Sequence, residues 1–142
     1  QSNCKLFLPI DIVVAEQMAK GVPTRVRNLG NVDEHERILD AGPETVERLK
    51  RAMGNSKTLI WNGPLGVFEI PPFDRGTVEA AKEAAKLAKE GKLVAVAGGG
   101  DTVSAMHHAG VADDLTFIST AGGAFLEWME GKVLPGVEAL KV

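Results

Sequence analysis

Cysteine is almost absent. Cys4 is the single one among 142 residues, which excludes an internal disulfide and a cysteine-based zinc site. Without a disulfide framework, a cytoplasmic address is the default expectation. Positive charge is not in excess either. Lys and Arg number 16 against 19 Asp and Glu, a formal net charge of −3, and no basic stripe marks a nucleic-acid footprint. Long apolar runs are missing, so no helix is expected to span a membrane. Gln1 to Lys5 are not followed by a secretory apolar region with a small-residue cleavage site. The chain opens on Gln1 rather than Met, which carries the expectation that its gene starts further upstream.

What remains is ordinary in bulk: 44% hydrophobic and 25% charged residues, enough chain for one domain with a core. Glycine stands out. Average usage would give about ten; this chain has 16.

Lys5 to Val14, K-L-F-L-P-I-D-I-V-V, predicts a buried strand interrupted by Pro9. Ala15 to Lys20 reads as a short turn or helix and Gly21 to Glu36 as loop or edge strand, its acidic cluster Asp33, Glu34 and Glu36 as a solvated face. Gly42-Pro43 opens a helix to Met53 with the apolar stripe Val46, Leu49 and Met53, proline suiting the first turn. Lys57 to Trp61 is a short strand. Thr77 to Glu90 is the clearest helix, with Val78, Ala81, Ala85 and Ala88 on one face and Lys82, Glu83, Lys86 and Glu90 facing outward. Leu93 to Ala97 and Leu115 to Ser119 are apolar strands. Each leads through glycines into a helix, the first with Asp101 as its expected N-cap and an end near Ala109. The second ends near Glu130-Gly131. From residue 43 helix and strand alternate, which predicts an α/β domain with a mainly parallel sheet.

Gly98 to Gly100 and Gly122-Gly123 both join a strand's C-terminal end to a helix start. Ligands of open parallel sheets bind beyond those strand ends. Helix N-termini there offer free N–H groups and partial positive charge to phosphate, and glycine admits a ligand close to the backbone. Two such turns side by side make a double anion cradle; tight strand–helix packing is the competing explanation. A Walker A loop is absent, and Gly98-Gly99-Gly100-Asp101-Thr102-Val103 breaks the dinucleotide pattern. Asp101 sets a carboxylate where bare phosphate is repelled. A bridging Mg²⁺ reverses that sign; capping its helix is the simpler role, and both roles are compatible. Phosphoryl transfer needs positive charge at the moving group, yet neither turn holds Lys or Arg. Lys92 precedes its strand and Arg75 sits in a loop. Either the chain is a binding module, or the missing cations lie outside it.

Trp61-Asn62-Gly63-Pro64-Leu65-Gly66-Val67-Phe68-Glu69 resembles the W-N-G-P-[ML]-G-V-F-E motif of phosphoglycerate kinases. Gly98 to Thr102 resembles their G-G-G-D-[ST], and Ser119 to Ala124 their S-T-G-G-G-A. Pro9-Ile10-Asp11, Asp40-Ala41-Gly42-Pro43 and Leu134-Pro135-Gly136-Val137 match in order. The resemblance runs along essentially the whole chain. It implies a Rossmann-like, three-layer α/β/α fold with a mainly parallel sheet, residues 1–142 being the latter part of an incomplete C-terminal, nucleotide-binding domain. The implied parent is a monomeric, two-domain glycolytic enzyme that moves a phosphoryl group between 1,3-bisphosphoglycerate and ADP with Mg²⁺, giving 3-phosphoglycerate and ATP. Phosphoglycerate is held by a domain absent from this chain.

By position, the resemblance implies that Glu69 bonds the ribose hydroxyls and that Asn62 lies near the phosphates. Pro64, Val67 and Leu39 line the adenosine pocket. Gly98, Gly99, Gly100, Asp101 and Thr102 form the phosphate turn, Asp101 holding Mg²⁺. Gly122 and Gly123 start the helix whose N–H groups face the transferred phosphoryl group. Ala121 and Phe125 depart from the pattern, replacing a glycine and a serine; alanine is harmless there unless its φ is positive. No G-G-A-K-V-like segment is present, so the family's nucleotide-contacting lysine is missing, in line with the cation deficit, and the isolated chain is expected to be inactive. A non-catalytic nucleotide-binding module is the alternative. A dinucleotide-dependent oxidoreductase would need the G-x-G-x-x-G that is broken here.

The remaining candidates read as structure. Adjacent His107 and His108 point to different sides of a helix and share no metal; His35 has no evident partner. Trp61, Leu126 and Trp128 read as packing, Cys4 as a buried thiol, and Asp113-Asp114 as a turn.

Overall fold

The computed structural model describes residues 3–141. Strands β1 (Asp11–Ala15), β2 (Arg25–Asn28) and β3 (Arg37–Ala41) come first. They are followed by α1 (Pro43–Gly54), β4 (Thr58–Asn62), α2 (Arg75–Lys89), β5 (Val94–Gly98) and α3 (Gly100–His108). A 3₁₀ turn at Ala112–Asp114, β6 (Phe117–Ser119), α4 (Gly123–Met129) and α5 (Pro135–Glu138) complete the order.

The expected parallel sheet is present in the order β4-β5-β6, each strand reaching the next through a helix. A second, antiparallel sheet has the order β2-β1-β3, which the alternation after residue 43 does not imply. The strand expected from Lys5 begins only at Asp11. Pro9 has no N–H to give to a ladder, and Leu6 and Leu8 are exposed. Of the acidic cluster, Glu36 is not a solvated residue: its side chain is buried against Arg25 and Arg27 at 3.1 and 3.0 Å. The Arg27 guanidinium pulls its carboxyl down to about 2. Cys4 is exposed rather than buried, Trp128 is exposed, and Arg75 is the first residue of α2 rather than a loop residue.

Helix α2 packs through small residues. Ala80, Ala81, Ala84 and Ala85 are buried with Leu87, so the helix lies close to Trp61, Ala95 and Ala97 of the parallel sheet and to Met53 of α1. The register alternates the two sheet faces. Leu59, Trp61, Ala95, Ala97 and Ile118 belong to that core. Ile60, Val96 and Phe117 form a row on the other face, where Ile60 is 37% and Phe117 58% exposed. A smaller core joins Ala15, Leu39 and Phe73.

Two helix N-termini are held from a distance. The orphan N–H groups of a helix start need acceptors, and neither α1 nor α2 draws one from its own N-cap residue. Asp11 of β1 supplies α1: its carboxylate accepts the N–H of Glu44 at 3.0 Å and of Thr45 at 2.7 Å, and the Thr45 hydroxyl at 2.6 Å. Asp40 of β3 supplies α2, accepting the Gly76 N–H at 2.8 Å. Burial pushes the Asp11 carboxyl up, but the Thr45 hydroxyl and the helix N–H groups outweigh it and hold the carboxyl below its ordinary range.

Replacing Asp11 by Ala leaves buried donors without an acceptor, a loss of about 1–3 kcal/mol. Urea unfolding at pH 7 reads it. The folded pKa lies below the unfolded 3.8, so Asp11's stabilisation is complete above that value and lost as pH falls through the folded one. An Asp11→Asn variant should lack that acid step; an unchanged acid profile would contradict the assignment.

Candidate functional site

Strand register sets the frame of the site. Asn62 pairs with Gly98 and Gly98 with Ser119, so the last residues of β4, β5 and β6 stand side by side at the C-terminal edge of the parallel sheet. Three connections leave from this row: residues 63–74, the Gly99 turn and residues 120–122.

The first two are tied together. The Gly63 N–H donates to the Thr102 hydroxyl at 2.7 Å, and Thr102 is fully buried at the start of α3. A Cβ at Gly99 would lie 3.4 Å from Asn62 Oδ1 and 3.5 Å from Thr102 Oγ1. Asn62, Gly98, Gly99, Gly100 and Thr102 thus meet at one point.

Gly99 carries φ +96° and is itself the N-cap of α3, with no side-chain cap. Asp101 therefore does not cap its helix as expected. The left-handed glycine starts the helix early enough to put Asp101 inside the first turn, with the residue exposed. Its charge still favours the positive end of the helix dipole. The third connection follows the same plan. Gly122, at φ +56°, precedes α4 without a side-chain cap, and the space around Gly122 and Gly123 is open. Among the described residues no non-glycine φ is positive, so Ala121 is unstrained. Phe125 packs on Gly98, where a Cβ would stand 3.3 Å from its ring.

The apolar candidates gather separately. Leu39, Pro64 and Val67 line a cavity of about 440 Å³ with Ile12, Leu49 and Leu65. The Val67 N–H donates to Leu39 O at 2.9 Å and the Leu65 N–H to the buried Thr77 hydroxyl at 3.0 Å. Glu69 is exposed and lines no part of that cavity. Trp61 fills its expected packing role and donates its indole N–H to Gly63 O at 2.6 Å.

Charge at the edge is sparse. Arg75 lines a second cavity beside Asp40 and Glu79, and Lys92 pairs with Glu90 at 2.7 Å. His108 does not stand alone: its Nε2 lies 2.9 Å from Asp74 Oδ2, with the Phe68 ring edge-on. His35 approaches Glu34 at 3.4 Å.

One residue at the site carries no sequence assignment beyond its motif. Asp40 adjoins both cavities and is 2% exposed. Burial pushes its carboxyl up to about 6, against the N–H groups of Gly76 and Ala41, and the charges of Asp74 and Glu79 add to the rise.

The backbone at Gly99 gives a paired test. Gly99→Ala forces an alanine into φ +96° and should lower stability by about 1–2 kcal/mol. Gly100→Ala lies in open space within a helix and should be neutral or stabilising. Thermal unfolding compares them; equal effects would remove the conformational explanation.

The family model described as phosphoglycerate kinase matches residues 1–132. A phosphoglycerate kinase of Caulobacter sp. (strain K31) is 67% identical over 141 residues, covering 99% of this chain and 36% of that relative. The one from Rhodopseudomonas palustris is 59% identical over 141 residues, covering 99% and 35%. Among solved structures, phosphoglycerate kinase from Coxiella burnetii superposes with TM-score 0.85 at 40% identity, over 94% of this chain and 34% of that one. The chain spans about a third of the length of the curated relatives it matches. The sheet, the glycine-led helix starts and these matches agree: the chain belongs to the phosphoglycerate kinase family.

Proposed function

We propose that residues 1–142 form the latter part of the nucleotide-binding C-terminal domain of a cytoplasmic, monomeric phosphoglycerate kinase, and that they supply one side of its ADP/ATP site. The observation that carries this reading is the row of Asn62, Gly98 and Ser119, with uncapped, glycine-led helix starts immediately beyond it. Such an edge suits phosphates, because free N–H groups and the helix dipole favour negative charge.

In this reading the backbone from Gly98 to Thr102 faces the nucleotide phosphates, with Asn62 beside them. Leu39, Pro64 and Val67 take the adenosine, and Glu69 the ribose hydroxyls. The N–H groups at Gly122 and Gly123 face the phosphoryl group in transit. Asp101 holds Mg²⁺ together with the phosphates. The donor set fits: a single exposed carboxylate oxygen ligand suits a cation that keeps waters and takes phosphate oxygens rather than a full protein cage. When bound, Mg²⁺ neutralises phosphate charge. The chain's own contribution is alignment of the nucleotide by backbone N–H groups and the apolar cavity wall.

Neither glycine turn carries Lys or Arg. The cations that phosphoryl transfer requires, and the 1,3-bisphosphoglycerate/3-phosphoglycerate site, therefore belong to the remainder of a whole kinase. The bare sheet face at Ile60, Val94 and Phe117 supports the same partition. Parallel sheets are covered on both faces, and that remainder would supply the cover.

Two outcomes are expected. The 142-residue chain alone should not turn over 1,3-bisphosphoglycerate and ADP at about 1–100 s⁻¹, the usual kinase range; a coupled assay at that rate would defeat the partition. ADP–Mg²⁺ binding by calorimetry should weaken in Asp101→Ala and in Glu69→Ala, without a preference for NAD. No binding at millimolar ADP by a folded sample would count against the nucleotide site.

A further inference from the structure

We infer that Asp40 is the positioning residue of the segment 63–74, the connection that carries Pro64, Val67 and Glu69. The inference deepens the nucleotide reading and rests on it for the consequence of positioning, but its geometry stands by itself.

The carboxylate lies where three pieces of backbone converge. The Ala41 N–H donates to Oδ1 at 2.8 Å and the Gly76 N–H to Oδ2 at 2.8 Å. Gly66 packs directly on the carboxylate: a Cβ there would stand 2.3 Å from Oδ1 and 2.7 Å from Leu39 O, and one at Gly76 would stand 2.5 Å from Oδ1. Both glycines are required by this approach, since a methyl group on either would collide with the aspartate. Segment 63–74 therefore passes over Asp40 at Gly66 and re-enters the fold beside it at Gly76. Next to Gly66, the Val67 N–H is fixed to Leu39 O at 2.9 Å. The aspartate thus packs under Gly66, between the wall residues Pro64 and Val67, and bonds the start of α2.

The anchoring is sensitive to charge. The titratable and charged groups around the carboxylate are Asp74, preceding α2, and Arg75 and Glu79 of α2, with Arg48 of α1 lining the apolar cavity that Asp40 also lines. Asp74 is itself paired with His108 of α3. Burial and the two acids push the Asp40 carboxyl up to about 6. Opening the segment would return Asp40 to solvent and to its ordinary range, so protonation favours the closed arrangement. Segment 63–74 is then held more firmly in mild acid than at neutral pH.

The test is amide hydrogen exchange on the 142-residue chain, with ADP–Mg²⁺ calorimetry as a second readout. Asp40→Ala removes the acceptor of Gly76 and the support under Gly66 and should lower the protection of Val67 and Phe68 by about tenfold or more, the size expected when a buried N–H loses its partner, while Ala105 to His108 of α3 keep theirs. Gly66→Ala leaves the aspartate intact, displaces the segment, and should reproduce the loss. In the unmodified chain, protection of Val67 and Phe68 should rise between pH 7 and pH 5, a step that the Asp40 variant lacks. ADP–Mg²⁺ affinity at pH 7 should follow protection across the variants. Unchanged protection in both variants would overturn the proposal. So would a loss spread evenly through α3 and β5, which would mark a general loss of stability. If the unmodified chain takes up no ADP–Mg²⁺, the nucleotide reading falls, and exchange decides the role of Asp40 alone.

Discussion

Two carboxylates buried in the antiparallel sheet hold the starts of α1 and α2. A buried charge is tolerated only where hydrogen bonds replace its water, and a helix N-terminus offers N–H groups with nothing to bond. Asp11 and Asp40 meet both needs at once. Each leaves a strand of the smaller sheet and closes the start of a helix, α1 in one case and α2 in the other. The two are not equally satisfied. Asp11 gathers two N–H donors and a hydroxyl, and its carboxyl falls below its ordinary range. Asp40 gathers two N–H donors, but its burial, with Asp74 and Glu79 adding, raises its carboxyl. One aspartate is therefore a fixed structural tie, and the other a tie under electrostatic tension.

That difference matters because of what each tie supports. Asp11 locks α1 to β1. Asp40 sits beneath the connection between β4 and α2, whose residues form part of the apolar cavity and whose first link, Gly63, is bonded to Thr102 at the start of α3. The cavity and the glycine edge are joined through this connection. Its first residues, Gly63 and Leu65, are fixed by two buried threonine hydroxyls, Thr102 and Thr77, Val67 by Leu39 O, and Gly66 by packing on Asp40. Nothing in it is a regular helix or strand, so its shape comes from those side-chain and backbone acceptors rather than from a ladder.

Sequence periodicity disclosed the elements that bury one continuous face. α1, α2 and the three parallel strands follow from apolar spacing and glycine punctuation. β3 escaped because R-I-L-D-A buries an aspartate where an apolar residue would mark the pattern, and because a bulge between Val13 and Val14 breaks its register. The cap expected at Asp101 fails for a local reason: a G-G-G-D string looks like a helix beginning at aspartate, but Gly99 in the left-handed region begins it sooner. The convergence of Asn62 and Gly98 required the strand register, which spacing alone does not contain. The role of Asp40 required the return of the chain at Gly76, 36 positions along.

The surplus of glycine changes meaning accordingly. Spacing assigned it to two phosphate-suited turns, and Gly99 and Gly122 do have the positive φ that such turns use. Gly42, Gly66 and Gly76 serve a different end. A Cβ at any of them would fall within 2.5 Å of Asp11 or Asp40. These three glycines admit buried carboxylates, not ligands, to the backbone, and all three are silent in a search for anion turns. Substitutions in the two sets should therefore fail differently. Alanine at Gly99 strains the backbone of the turn before α3, whereas alanine at Gly42 or Gly76 displaces a buried charge from the helix end it satisfies. The first leaves the core intact; the second strikes the contact from which α1 or α2 starts.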